Sequence, residues 1–528
     1  MLPGGFSLGK KVYMLLYDID VNKGGITSVM LSRSRELSFR HGYDVDLISL
    51  DYKDNYDEIQ EKLINDGRLY SKVNIINVHN YYREKYCNGK VRREQLKNYK
   101  SVSSLNEDGY YVQDSEYKNK QYARYFKDGL YIKYKKWSKD GRLTHIDYFN
   151  ENRNRTAREE FHREGYCRLK TYYDLTSNEP KQELHYTKDG FCFLSKWFNH
   201  KNGKIQRIYL FNRQTQKVHE FKNNKEFHVY FLNEICGEQK EKPFLICDGV
   251  GSASKVLSMK PEAAHRIYSI HTNHFDYPHQ YGSPIKADHI TLLNNLENEE
   301  ALVVLTESQK KDIIKQFGDY KNVYVIPNFI TPIKDFKLNQ DPRLVTMISR
   351  YHPEKGIDEA IMAFKRVIKH IPDARLEIYG HGEDEERLAG IIIDLGLKEQ
   401  VKLKGYTTKI GEVLGRSSLT ILTSQFEGLN VVSLESMSCK VPVVSYDVNY
   451  GMRDIIDHGK NGYLVPHGDQ NGLADRIIEL LNDPQKIKSF GSEAYELVLR
   501  KYSKIQVCKQ WVSLFQKLEK DDPNKRLK

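Results

Sequence analysis

Over residues 11–80, and again beyond about residue 225, apolar positions form short solid runs separated by amphipathic stretches. VYMLLY (12–17) is one such run. A loop with Gly24 and Gly25, an amphipathic helix and a second run, VDLISLDY (45–52), follow it. Strands covered by helices on both faces read as continuous apolar runs, so the pattern predicts a parallel sheet in an α/β layer. It resumes with FLICDG (Phe244–Gly249), RIYSIH (Arg266–His271) and LVVLT (Leu302–Thr306).

After the linker 327–342 the alternation starts afresh. LVTMI, LEIYG, VKLKG, LTILT, VPVVSY and GYLVP are the predicted strands, with helices over 358–370, 384–395, 410–416, 429–438 and 471–482. Two doubly wound α/β domains with a cleft between them follow. Two last helices, 486–500 and 504–519, close the chain. Trp511, Leu514, Phe515 and Leu518 line one face of the second, which predicts docking back onto the first domain.

Between 85 and 220 the period shortens. Asp108-Gly109, Asp128-Gly129, Asp140-Gly141, Glu164-Gly165, Asp189-Gly190 and Asn202-Gly203 punctuate alternating segments such as GLYIKYKKW and GFCFLSKWF. Turn pairs flanked by alternating aromatics signal hairpins, so this region is expected to be an all-β meander inserted in the first domain. The expected organisation is 1–84 and 221–330 for the first α/β domain, 85–220 for the insertion, 331–502 for the second α/β domain and 503–528 for the closing helix. Residues 1–10 read as a floppy leader.

Lys and Arg total 82 and Asp and Glu 71, a net charge of +11. The excess favours a polyanionic partner without choosing among nucleic acid, an anionic membrane face and a phosphate polymer. The insertion's outward Lys, Arg and Tyr read either as a structural or oligomerising sheet with solvated charges, or as a polyanion contact. The seven cysteines form no CxxC pair and read as reduced thiols of a cytosolic protein. No apolar run approaches the length of a membrane span.

The chemistry concentrates in the second domain. SRYHPEKG (Ser349–Gly356) puts Arg350 and Lys355 on a loop between a strand end and a helix start, where open α/β sheets bind anions. Two cations so placed can flank a diphosphate and neutralise charge on a departing nucleotide. The residues alone read equally as a solvated charged loop. In SQFEGLNVVSLESMSCKVPVVSYD (Ser424–Asp447), Glu427 occupies the strand-to-helix turn and Glu435 lies eight residues on in the helix, which suits opposite ends of an extended ligand. Gly428 permits close backbone approach, and the Leu429 and Asn430 amides open the helix toward an anion or sugar hydroxyls. In the first domain, Gly24-Gly25 reads as amides offered to a phosphate or an acceptor, or as a plain tight turn. Asp18-Ile-Asp20 and Asp44-Val-Asp46 have the form of a metal-binding carboxylate pair, but they stand away from the expected diphosphate site and are read as chance.

Together these stretches resemble the EX7E family of GT-B glycosyltransferases, family 4. YGHGED (Tyr379–Asp384), KGYTT (Lys404–Thr408) and HGKNGYLV (His458–Val465) extend the likeness across the second domain. The resemblance implies two Rossmann-like domains facing a cleft. It implies that Arg350 and Lys355 hold the diphosphate, Glu435 the ribose hydroxyls and Glu427 the donor sugar, with Gly380, Gly382 and Tyr406 bordering the nucleotide. His271, or His274, would contact the transferred sugar.

DIDVNKGGITSVMLSRS, LDYKDNYDEI, ICDGVGS, VLTESQKKDI and the insertion look like the wall teichoic acid α-glycosyltransferases. That likeness implies α-glucose transfer from UDP-glucose to poly(glycerol-phosphate), with UDP-GlcNAc and poly(ribitol-phosphate) or a surface adhesin as the alternative. It also implies a homotrimer built through the insertion, no resident cofactor or metal, no nucleic acid, and a cytoplasmic location with at most peripheral contact to the inner membrane face. A non-catalytic subunit binding polyanion or sugar nucleotide is the rival of another class.

Overall fold

The computed structural model describes residues 9–22, 25–114, 121–330 and 339–522. Its first sheet has seven parallel strands, in the order Val323–Val325, Ala301–Val304, His265–Ser269, Phe244–Asp248, Lys11–Leu16, Asp44–Ser49 and Asn74–Asn77. The central strands Lys11–Leu16 and Phe244–Asp248 pair in register although some 230 residues separate them, Val12 lying opposite Phe244. The intervening chain therefore leaves this sheet and returns to it.

The third sheet has six parallel strands, in the order Val401–Gly405, Arg375–Tyr379, Leu344–Ile348, Leu419–Leu422, Val443–Asp447 and Gly462–Pro466. Its apolar runs are buried because helices such as Ile357–His370 and Gln470–Leu481 pack over it. This is the two-domain GT-B arrangement with an antiparallel β insertion.

The insertion is a ten-stranded antiparallel meander in strict chain order, from Tyr111–Asp114 to Lys217–Phe221. Asp128 and Gly129 both take positive φ, 51° and 78°, and join Lys127 to Leu130 as a two-residue turn of the hand that matches strand twist. The later pairs close longer hairpin loops, in which only the glycines, Gly141, Gly165, Gly190 and Gly203, take positive φ. One part of the expected all-β stretch is not β: Arg93–Ser103 is a helix. None of its residues is fully buried, and its apolar row of Leu96, Tyr99 and Val102 is too short to stand out from the alternating pattern around it. It rests on the sheet through Tyr99, which occupies the space a Cβ on Gly165 would need, 2.8 Å from the ring.

The meander is not a free appendage. Phe193, Leu194, Ile208, Leu210 and Phe221 share one core with Tyr13, Leu15 and Phe227 of the first domain. The last helix, Lys504–Asp521, does the same from the other end of the chain. It buries Val507, Trp511, Leu514 and Phe515 against Val12, Met14 and Phe244. No helix among the described residues is long and apolar enough to cross a membrane. All seven cysteines are unpaired, four of them buried.

Candidate active site

Strands Leu344–Ile348 and Leu419–Leu422 are parallel neighbours, so the loops leaving their carboxyl ends lie side by side. Gly356 takes a left-handed φ of 57°, and a Cβ there would stand 2.3 Å from the Thr423 carbonyl. The Thr423 hydroxyl is 3.1 Å from the Lys355 carbonyl and 2.7 Å from that of Gly356, and the Gln425 N–H donates to the Glu354 carbonyl. These bonds clasp the two loops in one register. Lys355 Nζ thereby lies 3.0 Å from Glu427 Oε1, both side chains being largely buried. Arg350 stays 69% exposed and turns back to Glu354 at 2.7 Å, a carboxylate also 3.6 Å from Lys355.

Gly380 and Gly382 have a packing reason to be glycine. A Cβ on Gly380 would meet the Ser349 carbonyl at 1.8 Å, and one on Gly382 the Tyr351 carbonyl at 2.2 Å. Their first effect is to seat the Arg350 loop. Tyr406 is 62% exposed and stands edge-on to His381 beside them.

The helix after Glu427 begins at Val431, with Asn430 as its cap. The Asn430 side-chain oxygen accepts from the Ser433 N–H and hydroxyl, at 2.8 and 2.9 Å, so it is engaged in starting the helix. The Leu429 side chain belongs to the domain core. Glu435 keeps some contact with solvent, but the surrounding walls strip most of its hydration and push its pKa up to about 7.

Across the cleft, the first domain touches this turn directly. A Cβ on Gly428 would stand 2.1 Å from the His271 carbonyl, so only glycine lets the domains approach this closely. His271 Nε2 is 2.9 Å from Asp248 Oδ1, and its Nδ1 has no hydrogen-bond partner among the described residues. The other Asp248 oxygen takes Arg33, whose guanidinium also lies 4.5 Å from the Trp511 ring of the last helix. Burial opposes the Asp248 charge, yet Arg33 and His271 together hold its pKa below the usual carboxylate value. His274, by contrast, is wholly buried, stacks on Tyr450 and is pushed down to about 3 by burial. It packs the interface between the domains, and His271 is the histidine at the cleft.

The glycosyl transferases group 1 family description matches residues 330–497, the stretch that carries Arg350, Lys355, Glu427 and Glu435. The poly(ribitol-phosphate) α-N-acetylglucosaminyltransferase of Staphylococcus aureus is 33% identical over 96% of this chain and 99% of its own. The chain belongs to the group 1 glycosyltransferases. The poly(glycerol-phosphate) α-glucosyltransferase of Bacillus subtilis is 26% identical over 94% of this chain and 74% of its own. A crystal structure of an S. aureus TarM variant with fondaparinux, α-GlcNAc-glycerol and UDP superposes with a TM-score of 0.84, at 32% identity, over 96% of this chain and 99% of that one. Both of these curated relatives, matched over nearly all of this chain, are α-glycosyltransferases named for a polyol-phosphate polymer.

The remaining candidates of the glycosyltransferase fall outside this cluster. Gly25 precedes the helix Ile26–His41 with a positive φ of 55°, open space around it. Gly24 lies outside the described residues. Lys53 Nζ reaches both Asp18 and, at 2.8 Å, Asp20, while Lys11 pairs with Asp44 and Asp46 at 2.9 and 2.5 Å. Both acidic pairs are thus occupied by lysines, and no cluster able to hold a metal occurs among the described residues.

Sequence reasoning missed Arg33 and Asp248. The one available signal was an acid at the end of a buried apolar strand. It also missed Lys286 and Phe426, which meet only across the cleft.

Proposed function

We propose that this glycosyltransferase moves α-N-acetylglucosamine from UDP-GlcNAc to polyol hydroxyls of a poly(ribitol-phosphate) teichoic acid, with retention at the anomeric carbon. The first expectation was glucose on poly(glycerol-phosphate). The higher identity, 33% against 26%, over more of the relative's length supports the alternative. The net charge of +11 suits a polyanionic acceptor.

The observation that carries the chemistry is the cation pair at the strand ends, Lys355 held 3.0 Å from Glu427 with Arg350 exposed beside it. As the sugar–phosphate bond breaks, negative charge gathers on UDP. Arg350 and Lys355 neutralise it in a site already organised for that charge, the service a divalent ion gives elsewhere. The acceptor hydroxyl then attacks the anomeric carbon from the face UDP leaves and passes its proton to the departing phosphate oxygen, so no side chain need become a covalent nucleophile. Glu427 and His271 would orient the sugar through its hydroxyls, and Glu435 would accept from the ribose. The inserted sheet would hold three chains together in the cytoplasm, close to where the polymer is made.

Crossing UDP-GlcNAc and UDP-glucose with poly(ribitol-phosphate) and poly(glycerol-phosphate) tests this reading. The highest kcat/KM is expected for UDP-GlcNAc on the ribitol polymer. Preference for UDP-glucose on the glycerol polymer would establish the second reading. Absence of transfer in all four pairings would leave the non-catalytic one.

Glu435 makes a separate prediction. Its raised pKa means that the carboxyl is protonated in free enzyme below about 7, a form that accepts ribose hydroxyls poorly. UDP binding favours the ionised form and returns the pKa toward its normal value. UDP should therefore bind about tenfold more weakly at pH 6 than at pH 8, with proton release on binding near pH 6.5. Titration calorimetry in buffers of different ionisation enthalpy would measure both, and Glu435→Gln should leave only the dependence contributed by the terminal phosphate of UDP, which itself ionises near about pH 6. For the free protein the sign runs the other way. The group's contribution to stability is complete below about pH 4.5 and is lost as pH rises through 7.

A further inference from the structure

Lys286 closes the first-domain loop that begins at Thr272, and no motif marks it. Its Nζ lies 4.0 Å from the centroid of the Phe426 ring, on the residue immediately before Glu427. The His279 ring covers the same phenyl group at 4.2 Å, so the first domain grips Phe426 with two side chains. Three carboxylates act on Lys286 through space: Asp288, Glu354 and Asp276. None pairs with it, and each has another partner: His289 at 2.6 Å, Arg350 at 2.7 Å and the Tyr277 N–H at 2.8 Å. Burial draws the Lys286 pKa below normal, and Lys355 pushes the same way. A half-buried ammonium with three donors and no carboxylate in contact among the described residues is a strong ligand for an anion entering the cleft.

We propose that Lys286, seated on Phe426, binds a phosphodiester of the acceptor chain and so sets the neighbouring polyol hydroxyl beside the transfer centre. The proposal rests on the polyol-phosphate reading above and names the group that recognises that polymer. The donor diphosphate already has Arg350 and Lys355, both from the second domain, whereas Lys286 comes from the opposite wall. The same loop carries Tyr277 and Tyr281, 78% and 41% exposed, whose rings can cover the apolar edge of a polyol. A polymer with one phosphate per repeat puts a charge at a fixed distance from each hydroxyl-bearing unit. One cation near the transfer centre therefore selects position as well as charge.

The test uses Lys286→Ala and Lys286→Arg in the full chain, with whichever polymer the wild-type enzyme glycosylates. In Lys286→Ala the KM for polymer should rise about tenfold and its dependence on log salt should lose about one charge. The KM for UDP-sugar and acceptor-free hydrolysis of UDP-sugar should stay within about twofold, and Lys286→Arg should recover most of the polymer affinity. An unchanged polymer KM overturns the proposal. So does a rise in the UDP-sugar KM with faltering hydrolysis, which would give Lys286 to the diphosphate instead. Wild-type enzyme that glycosylates neither polymer overturns the acceptor reading and this proposal with it. That result is told apart from a failure of Lys286 alone, in which wild type is active and the alanine variant equals it.

Discussion

Replacing Lys355 with alanine is expected to lower kcat for sugar transfer by about 10²–10³, the loss seen when one preorganised donor to a developing negative charge is removed. That corresponds to about 3–4 kcal/mol of transition-state stabilisation. The ammonium is held in place before substrate arrives, 3.0 Å from Glu427 on a loop clasped by Thr423 and Gly356. It has no reorganisation to undergo as UDP departs. Alanine also leaves the Glu427 carboxylate without its cation, so the two functions fail together. Steady-state transfer kinetics at saturating donor would measure the effect, with circular dichroism to establish that the fold survives. Turnover equal to wild type would mean that UDP leaves against other groups. Arg350→Ala should be milder, because its guanidinium is 69% exposed and must settle on the ligand.

Asp248→Asn should be the most disruptive neutral change in the first domain, for two separable reasons. Arg33 would be left as a buried cation whose carboxylate is gone, with the Trp511 ring as its other neighbour. Breaking a buried pair on one side costs about 3–5 kcal/mol, so the thermal midpoint should fall. His271 would also lose the acceptor on Nε2, and an Asn amide turned toward it favours the other tautomer. The double variant Arg33→Met with Asp248→Asn separates the two effects. Removing both charges should restore most of the thermal stability while transfer stays low, because the histidine remains misoriented. Recovery of transfer along with stability would show that Asp248 matters to the fold alone and does not position His271.

Several features were legible because local chemistry dictates them. Parallel strands such as Val443–Asp447 read as solid apolar runs since both their faces are covered. The Asp128-Gly129 turn declared itself because positive φ at consecutive residues excludes most side chains. The helix Arg93–Ser103 escaped notice because it lies on the sheet through Tyr99 without burying a full face. The three-residue edge strand Val323–Val325 is too short to establish a period. His271 and His274 follow the same strand, and the sequence offers either. Only the fold tells them apart, by what each meets in space, Asp248 for one and the Tyr450 ring for the other.

The sequence alone determined the two parallel α/β domains, the β insertion and the second-domain segments that carry the cations and glutamates. Each is set by apolar period, turn residues and short spacings, which act over a few neighbours. Tertiary structure alone decided that Lys355 meets Glu427 across 72 residues, that Asp248 and Arg33 stand behind His271, and that Lys286 lies over Phe426. These contacts arise where adjacent strand ends and two separate domains converge. Such convergence follows from strand order, which leaves no local trace, and from the close approach at Gly428, where the chain marks the glycine but not its partner, the His271 carbonyl.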